Sequence, residues 1–273
     1  MELTGIRDKV VVVTGAGRMR SIGREIARTF GAAGAKVVIT GTGRSPDRYP
    51  ADEQAAGWRD IESVAAEIEA LGGTALPLVS DVRDDDAVQA LLAQILAEFG
   101  RVDFVVNNAA AARGGDRVPV VEMPIEQWDL VIGVNVRGTF LMSKRFGQRL
   151  IEQGEGGAIV NISSIAGKLL PPNATAYASS KAAIQALSAG MAQEVGVYGI
   201  RVNAICPGVI DNNRLDDIPR DSEAWATTVG RIALRRPSGG EDIPNMALFL
   251  CSEQGSWISG QSLNVDGGMA VQH

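Results

Sequence analysis

The chain has 273 residues, 45% of them hydrophobic and 21% charged, which is an ordinary composition for a globular protein with a large buried core. Its 26 basic and 32 acidic side chains give a net charge of −6, and without a basic footprint nucleic-acid binding is not expected. No apolar run is long enough to span a membrane, and charges interrupt the N-terminal stretch where a secretory signal would be apolar. A soluble cytoplasmic protein is predicted.

The elements predicted along the chain alternate between short apolar runs and amphipathic helical patterns. A buried strand at residues 9–14 is followed by a glycine cluster and by a helix whose apolar residues are spaced by four. Further strands are predicted at 36–40, 75–79, 104–106, 158–162, 202–205 and 262–265, and further helices at 61–71, 88–99, 126–153, 176–197 and 242–251. This alternation over residues 1–273 predicts one α/β domain: a doubly wound parallel sheet of about seven strands, the Rossmann fold, with helices on both faces.

Two polar stretches interrupt the alternation. Residues 44–58 are predicted to form a long loop after the second strand. Residues 211–237 follow the C-terminal end of a strand, where open α/β sheets bind their ligands, and are interpreted as a substrate lid. The alternative for the second stretch is a surface excursion held by a few apolar side chains.

Histidine and cysteine usage limits the chemistry. The only histidine is His273, so neither a histidine base nor a histidine metal ligand is expected, and no metal site is predicted. The two cysteines, Cys206 and Cys251, are too few for a disulfide scaffold and form no CxxC pair. Both are expected to be buried free thiols in a reducing compartment.

The glycine-rich segment TGAGRMRSIGR, residues 14–24, links the first strand to the first helix. Gly15 permits a tight turn, and the helix N-terminus offers N–H groups and a positive dipole to a pyrophosphate. The glycines do not fit G-x-G-x-x-G, and such a segment can also serve only as a turn. Its position directly after an opening strand favours nucleotide binding.

The sequence YASSK places Tyr177 and Lys181 one helical turn apart on one face. A nearby ammonium stabilises a phenolate and moves the tyrosine pKa toward a range useful for proton transfer. Such a pair also occurs on solvated helix faces. Ser164, however, lies thirteen positions earlier at the end of a predicted strand, which places its hydroxyl at the same edge of the sheet.

Taken together, these motifs resemble the short-chain dehydrogenase/reductase family over nearly the whole chain. The matching pieces are the glycine segment, Asp81-Val82, NNAA at 107–110, NVRGTF with Asn135, NISS with Ser164, YASSK, ICPGVI and NVDGG. The resemblance implies that Tyr177 is the general acid/base, that Lys181 binds the nicotinamide ribose and lowers the tyrosine pKa, and that Ser164 binds the substrate oxygen. It assigns Asn135 to a proton relay through Lys181.

The same resemblance implies a set of cofactor contacts. Asp81 and Val82 match an adenine-binding pair, Asn108 matches a residue that steadies the centre of the sheet, and Pro207 and Ile210 match the stretch at the nicotinamide carboxamide. The complete predicted set is Gly15, Arg18, Arg20, Ser21, Ile22, Thr42, Arg44, Asp81, Val82, Asn108, Tyr177, Lys181, Pro207, Gly208 and Ile210. The glycine segment departs from the family pattern, being two residues longer than usual in a form similar to the enoyl reductase branch. A threonine expected near the carboxamide is replaced by Asn212.

The end of the second strand bears on the choice of cofactor. An acid there would accept the ribose 2′-hydroxyl of NAD and repel a 2′-phosphate. Here Gly41 and Thr42 occupy that point, with Arg44, Arg18 and Arg20 nearby. Because arginine binds phosphate bidentately, NADP(H) is favoured, with NAD(H) as the alternative.

The predicted activity is hydride transfer between a nicotinamide cofactor and a secondary alcohol/ketone pair, with a small molecule as the substrate. The alternatives are an enoyl reductase, which the tyrosine–lysine spacing opposes, and a non-catalytic nucleotide sensor, which would not need the four matched residues. Alanines on more than one face of the 176–197 helix, together with the resemblance, predict a homodimer or homotetramer.

Overall fold

The computed structural model describes residues 3–271 and contains one seven-stranded sheet in the order β3-β2-β1-β4-β5-β6-β7, with every adjacent pair parallel. The strands are β1 (Val10–Thr14), β2 (Lys36–Gly41), β3 (Thr74–Val79), β4 (Phe104–Asn107), β5 (Gly157–Ile162), β6 (Ile200–Pro207) and β7 (Ser262–Val265). The predicted doubly wound α/β fold is confirmed. The strand order reverses between β1 and β4, so the crevice above these two strands is where a ligand is expected.

The helices fill the crossovers between the strands. They are α1 (Ile22–Ala32), α2 (Ala51–Ala55), α3 (Ile61–Ala70), α4 (Asp85–Phe99), α5 (Ile125–Ile132), α6 (Gly138–Gln153), α7 (Ala166–Leu169), α8 (Thr175–Val195), α9 (Glu223–Gly230) and α10 (Asp242–Cys251). A π-helical turn, Gly133–Arg137, joins α5 to α6, so the helical stretch predicted at 126–153 is continuous but changes its winding at the centre.

The central strands β1 and β4 are buried on both faces, which explains why they are unbroken apolar runs in the sequence. In β1, Val11 and Val13 face the layer containing α1, α3 and α10, whereas Val10 and Val12 face the layer containing α4, α6 and α8. All four side chains are 0% exposed. Successive strand side chains point to opposite faces, so each strand supplies both cores at once.

The two polar stretches are folded. Residues 44–58 contain a 3₁₀ turn and α2. Residues 211–237 contain a 3₁₀ turn, Asn213–Leu215, and α9, and they are anchored by buried Trp225 and Ile232. Cys206 and Cys251 are free and buried, as predicted. Among the helices of residues 3–271, none combines the length and the apolar character needed to cross a membrane. His273 lies outside the described residues.

Candidate active site

The ends of β1 and β4 are locked together at the crevice. The Asn108 side-chain amide donates to the carbonyl oxygens of Thr14, at 2.9 Å, and Gly15, at 3.0 Å. The Thr14 hydroxyl in turn accepts from the backbone N–H groups of Asn108 and Ala109, both at 3.0 Å. This is the position predicted for Asn108, at the centre of the sheet beside the expected cofactor.

The glycine segment is shaped by close backbone approach. Gly15 has φ +66°, and a Cβ there would lie 2.7 Å from the Ala109 Cα atom, so only glycine fits. Ser21 caps α1 by accepting from the Arg24 N–H at 3.2 Å. Arg20, Ser21 and Ile22 then line a small cleft of about 150 Å³ that is closed on the other side by Ile210 and Asn212. The cleft lies at the N-terminus of α1, where backbone N–H groups and the helix dipole favour an anionic group, and Glu25 and Asp211 also line it.

A chain of buried polar side chains fixes α8 against the sheet. Asn107 donates to Asn161 at 2.8 Å, Asn161 donates to Ser188 at 2.8 Å, and Ser188 donates to the Ile184 carbonyl at 2.7 Å. Asn161 and Ser188 are 0% exposed, and a buried amide without these partners would be costly. The register of α8 relative to β4 and β5 is therefore fixed, and with it the position of Tyr177 and Lys181.

Tyr177 is half-buried near the start of α8, and the Lys181 ammonium lies 5.7 Å from the centroid of its ring. Lys181 is almost fully buried and donates to the carbonyl of Ile162, the last residue of β5, at 2.7 Å. Ser164, two residues beyond β5, is 9% exposed, and its hydroxyl accepts from the Ala166 N–H at 3.1 Å. The predicted serine, tyrosine and lysine thus gather at the C-terminal end of β5.

The two adjacent serines differ in what they contact. The Ser163 hydroxyl donates to the Lys181 carbonyl at 2.7 Å and accepts from Gln185 at 3.1 Å, so its hydrogen bonds tie β5 to α8. Within residues 3–271 the Ser164 hydroxyl accepts one hydrogen bond and donates none, so its hydrogen is available for another acceptor. This difference supports the choice of Ser164 as the substrate-binding hydroxyl.

Asn135 lies in the π-helical turn and is completely buried. Its side chain accepts from the Ala111 N–H at 2.8 Å and donates to the Ser180 hydroxyl at 2.9 Å. Ser180 also donates to the carbonyl of Tyr177 at 2.7 Å. Asn135 therefore connects the segment after β4 to the turn of α8 that carries Tyr177, and π-helical turns are frequent at functional sites.

Burial lowers the pKa of Lys181 from its ordinary value of 10.5 to about 7, and the positive charge of Arg214 adds to this effect. A buried lysine with no carboxylate partner loses its proton more easily, because nothing nearby offsets the cost of burying the ammonium charge. A negatively charged group nearby, such as a phenolate, would favour the protonated form.

Two acidic side chains, Glu53 and Asp60, lie near the end of β2 beside the predicted Arg44. No acid was expected there, but the fold brings two acids from the 44–60 segment. Arg44 donates to Asp60 through Nε and Nη2, both at 3.2 Å, and to Glu53 at 3.2 Å. A Cβ on Gly17 would lie 1.4 Å from Asp60 Oδ1, so the acid reaches the glycine segment itself. The arginine predicted to meet a phosphate is already held by carboxylates.

The other predicted cofactor residues are distributed along the same crevice. Thr42 is exposed after β2, Arg18 lies 3.9 Å from Glu53, and Arg20 pairs with Asp52 at 3.2 Å. Asp81 binds Arg83, which lowers the pKa of that carboxyl, while Val82 is buried under α6. Pro207 ends β6, Gly208 donates to the Val265 carbonyl at 3.1 Å, and Ile210 pairs with Ser238.

Several polar residues of the site were not predicted from the sequence. Asp60 directly precedes α3, a helix-start signal that could have drawn attention to it. Ser180 sits inside YASSK, between the matched tyrosine and lysine. Arg117 lies in the segment after β4 and Arg214 lies in the 211–237 segment that was interpreted as a lid. Their guanidinium carbons are 4.5 and 5.6 Å from the Tyr177 ring centroid. The positive charge of these two side chains is the sequence feature that could have marked them as candidates.

Comparison with known proteins agrees with this geometry. A family model described as enoyl-(acyl carrier protein) reductase matches residues 15–270. The 3-oxoacyl-(acyl-carrier-protein) reductase of Thermotoga maritima is 32% identical over 266 residues, covering 97% of this chain and 99% of the relative. The L-rhamnose 1-dehydrogenase (NAD(P)(+)) of Azotobacter vinelandii is 36% identical over 264 residues, covering 97% of each.

Two further matches extend the comparison. The 7α-hydroxysteroid dehydrogenase of Escherichia coli K12 is 35% identical over 260 residues, covering 95% of this chain and 93% of the relative. A solved structure described as a short-chain alcohol dehydrogenase from Sinorhizobium meliloti 1021 has a TM-score of 0.83 and 30% identity, covering 96% of each chain. The chain therefore belongs to the short-chain dehydrogenase/reductase family and is a nicotinamide-dependent oxidoreductase.

Proposed function

We propose that the protein interconverts a secondary alcohol and a ketone, with Tyr177 as the general acid/base. The observation that carries this proposal is the placement of Tyr177, half-buried at the C-terminal edge of the sheet with the Lys181 ammonium 5.7 Å from its ring centroid. Asn135, Ser164, Tyr177 and Lys181 are the proposed catalytic set.

Dinucleotide binding is supported by the glycine segment, which follows β1, leads into the N-terminus of α1 and has no room for a side chain at Gly15 beside Ala109. The bound nicotinamide would supply the hydride. The protein has to hold the substrate oxygen, and the free hydroxyl hydrogen of Ser164 can donate to it. In reduction the Tyr177 phenol gives its proton to that oxygen, and in oxidation the phenolate takes the proton back.

Lys181 assists Tyr177, because its ammonium lies 5.7 Å from the centroid of the tyrosine ring. As an ammonium it favours the phenolate of Tyr177, and we propose that it also binds the ribose hydroxyls beside the nicotinamide. Burial lowers the pKa of Lys181 to about 7, so a negative charge on the Tyr177 oxygen would help to keep it protonated. Asn135 positions the tyrosine through Ser180, and we propose that it also supports proton relay from Lys181.

The central test is the replacement Tyr177→Phe, which removes only the transferable proton. We expect cofactor affinity and fold to be retained while kcat falls by about 10²–10⁴-fold, the range for general acid–base catalysis. A panel of ketones and alcohols with NADPH and NADH, followed at 340 nm, identifies the substrate for this measurement. Retention of more than about a tenth of wild-type kcat would contradict the assigned role.

We propose a modest preference for NADP(H) over NAD(H). Arg44 and Arg18 near the end of β2 support it, since a guanidinium can bind the 2′-phosphate. Glu53 and Asp60 oppose it by occupying the same guanidinium groups, which keeps the preference small.

Cofactor preference is measured as the ratio of kcat/KM for NADPH to that for NADH. Arg44→Ala should lower this ratio by about tenfold, the equivalent of one charge-assisted contact. Asp60→Asn is the matched variant at the same ion pair. It should raise the ratio, because it removes a negative charge that competes with the 2′-phosphate for Arg44. Equal losses with both cofactors in Arg44→Ala would remove the basis for the preference.

Enoyl reduction is the second candidate function, favoured by the long glycine segment and by the description of the matching family model. The Tyr-x-x-x-Lys spacing opposes it, since the enoyl reductase branch separates these residues more widely. A 2-enoyl thioester and a 3-oxo thioester of equal length, each offered with NADPH, separate the two. If the enzyme reduced only the enoyl thioester, the proposed alcohol/ketone reaction would be wrong and enoyl reduction would take its place.

We further propose a cytoplasmic homodimer or homotetramer in which residues 211–237 close over the substrate as a lid. Ala186, Ala189 and Gly190 form an exposed face of small residues on α8, which would let a second copy approach closely. Light scattering of the wild-type chain and of Ala186→Glu tests the assembly. A wild-type mass near 28.7 kDa would contradict it.

A further inference from the structure

Two arginines, Arg117 and Arg214, lie over the Tyr177 ring, and a third, Arg113, is bonded to the second; we call these three the arginine cluster. The Arg117 guanidinium carbon lies 4.5 Å from the Tyr177 ring centroid, and that of Arg214 lies 5.6 Å from it. Arg113 donates to the Arg214 carbonyl at 3.2 Å and so holds the cluster together. The first two arginines follow β4 and the third follows β6, so two walls of the cleft converge on the reacting tyrosine.

The cluster is only partly neutralised. Arg113 pairs with Asp217 at 2.8 Å, and Arg117 Nε lies 3.5 Å from Asp116 but makes no hydrogen bond although it is buried. Arg214 donates to the Ala111 carbonyl at 3.0 Å, and within residues 3–271 no carboxylate lies within ion-pair distance of it.

The surplus of positive charge acts on its surroundings. Burial is the main cause of the low pKa of Lys181, and Arg214 is the next. Burial also lowers the pKa of Arg117, with smaller contributions from Arg113 and Arg214 that Asp116 and Tyr177 oppose. The whole chain has a net charge of −6, so this positive region stands against the overall balance. Half-buried guanidinium groups with unused donors are stable when an anion completes them.

We propose that the substrate carries an anionic group, a carboxylate or a phosphate ester, close to its reacting carbonyl carbon, and that Arg117 and Arg214 bind this group. The inference rests on the proposed function, since it places the carbonyl at Tyr177. The planar guanidinium group of arginine can bind either a carboxylate or a phosphate through two hydrogen bonds. With the anion held by Arg117 and Arg214 and the carbonyl oxygen held at Tyr177, the substrate is fixed at two points. A neutral apolar substrate would remove water from these guanidinium groups without giving them a negative partner, which is unfavourable.

The test uses matched pairs of ketones that differ only in charge. Acetoacetate and methyl acetoacetate represent the carboxylate, and dihydroxyacetone phosphate and dihydroxyacetone represent the phosphate. The wild-type enzyme should prefer the anionic member of one pair by at least about tenfold in kcat/KM. Arg214→Gln and Arg117→Gln should each abolish that preference, mainly through a higher KM for the anion. Arg145→Gln, which breaks an ion pair with Asp85 between α4 and α6, is the control and should keep it.

The outcomes separate this inference from the function on which it rests. Reduction of neutral ketones by a Tyr177-dependent enzyme, without preference for either anion, would overturn the inference and leave the function standing. Failure to reduce any carbonyl compound would overturn the function itself. If the arginines served only the Tyr177 phenolate, both glutamine variants would shift the pH profile equally for charged and neutral members, and this result would also overturn the inference.

Discussion

Replacing Lys181 by methionine should make the protein more stable and inactive. The lysine is 3% exposed, and its pKa of about 7 in the folded chain lies below the ordinary 10.5 because burial disfavours the ammonium. The difference corresponds to roughly 5 kcal/mol of unfavourable free energy at pH values below 7, where the folded chain must hold the charge. Methionine has a similar length and no charge to bury.

The pH dependence follows from proton linkage. Between about pH 7 and 10 the unfolded lysine holds a proton and the folded lysine does not, so the free energy of unfolding of the wild type rises with pH. The methionine variant also leaves the Ile162 carbonyl without its donor, at a cost of about 1–3 kcal/mol at every pH. We therefore expect Lys181→Met to gain about 2–4 kcal/mol at pH 6 and to lose this advantage near pH 10.

Urea unfolding of the cofactor-free chain, at one protein concentration and at both pH values, measures this difference. Lys144→Met, at an exposed position on α6, is the control and should change the free energy of unfolding little at either pH. A Lys181→Met variant that is no more stable than wild type at pH 6, or whose gain is equal at both pH values, would refute the reasoning.

Two further predictions concern the loop and the serines. Gly15→Ala should abolish cofactor binding, measured by nicotinamide fluorescence, because its Cβ would collide with Ala109, whereas Gly100→Ala has a similar φ of +72° and open space, and should cost only about 1 kcal/mol of stability. Cofactor binding by the Gly15→Ala chain would show that the loop tolerates a side chain. Ser164→Ala should lower kcat by about 10²–10³-fold with little change in stability, and Ser163→Ala should instead cost about 1 kcal/mol of stability, because its hydroxyl bonds β5 to α8. A larger loss of kcat in Ser163→Ala would reverse the assignment of the two serines.

The fold could be predicted because its signals are local and repeated. The central strands, such as β1, are apolar runs buried on two faces, and the crossover helices pack apolar side chains against them. Ser164, Tyr177 and Lys181 could be predicted as candidates because their spacing corresponds to a strand end and a helix turn, and their roles were implied by the resemblance to the family.

What could not be predicted depends on contacts between distant segments. Asp60 and Glu53 belong to a stretch without clear periodicity, and only the folded chain shows that they meet Arg44 and the glycine segment. Arg117 and Arg214 are separated by almost a hundred positions and converge only because β4 and β5–β6 deliver their loops to one edge. Side-chain pairing across such loops carries no periodic signal in the sequence.

The buried chain from Asn107 through Asn161 to Ser188 has a consequence for how this enzyme can be diversified. It fixes α8, the helix that carries the candidate Tyr177, against the sheet, and it shares no residue with the loops proposed to surround the substrate. The residues that hold α8 in place are therefore separate from the loop residues, although Arg117 and Arg214 of those loops lie against the Tyr177 ring. A mutant library confined to residues 111–118 and 211–237 should change which compounds are accepted while most members still fold and transfer a proton, whereas variation at Asn161 should yield inactive proteins whatever the compound offered.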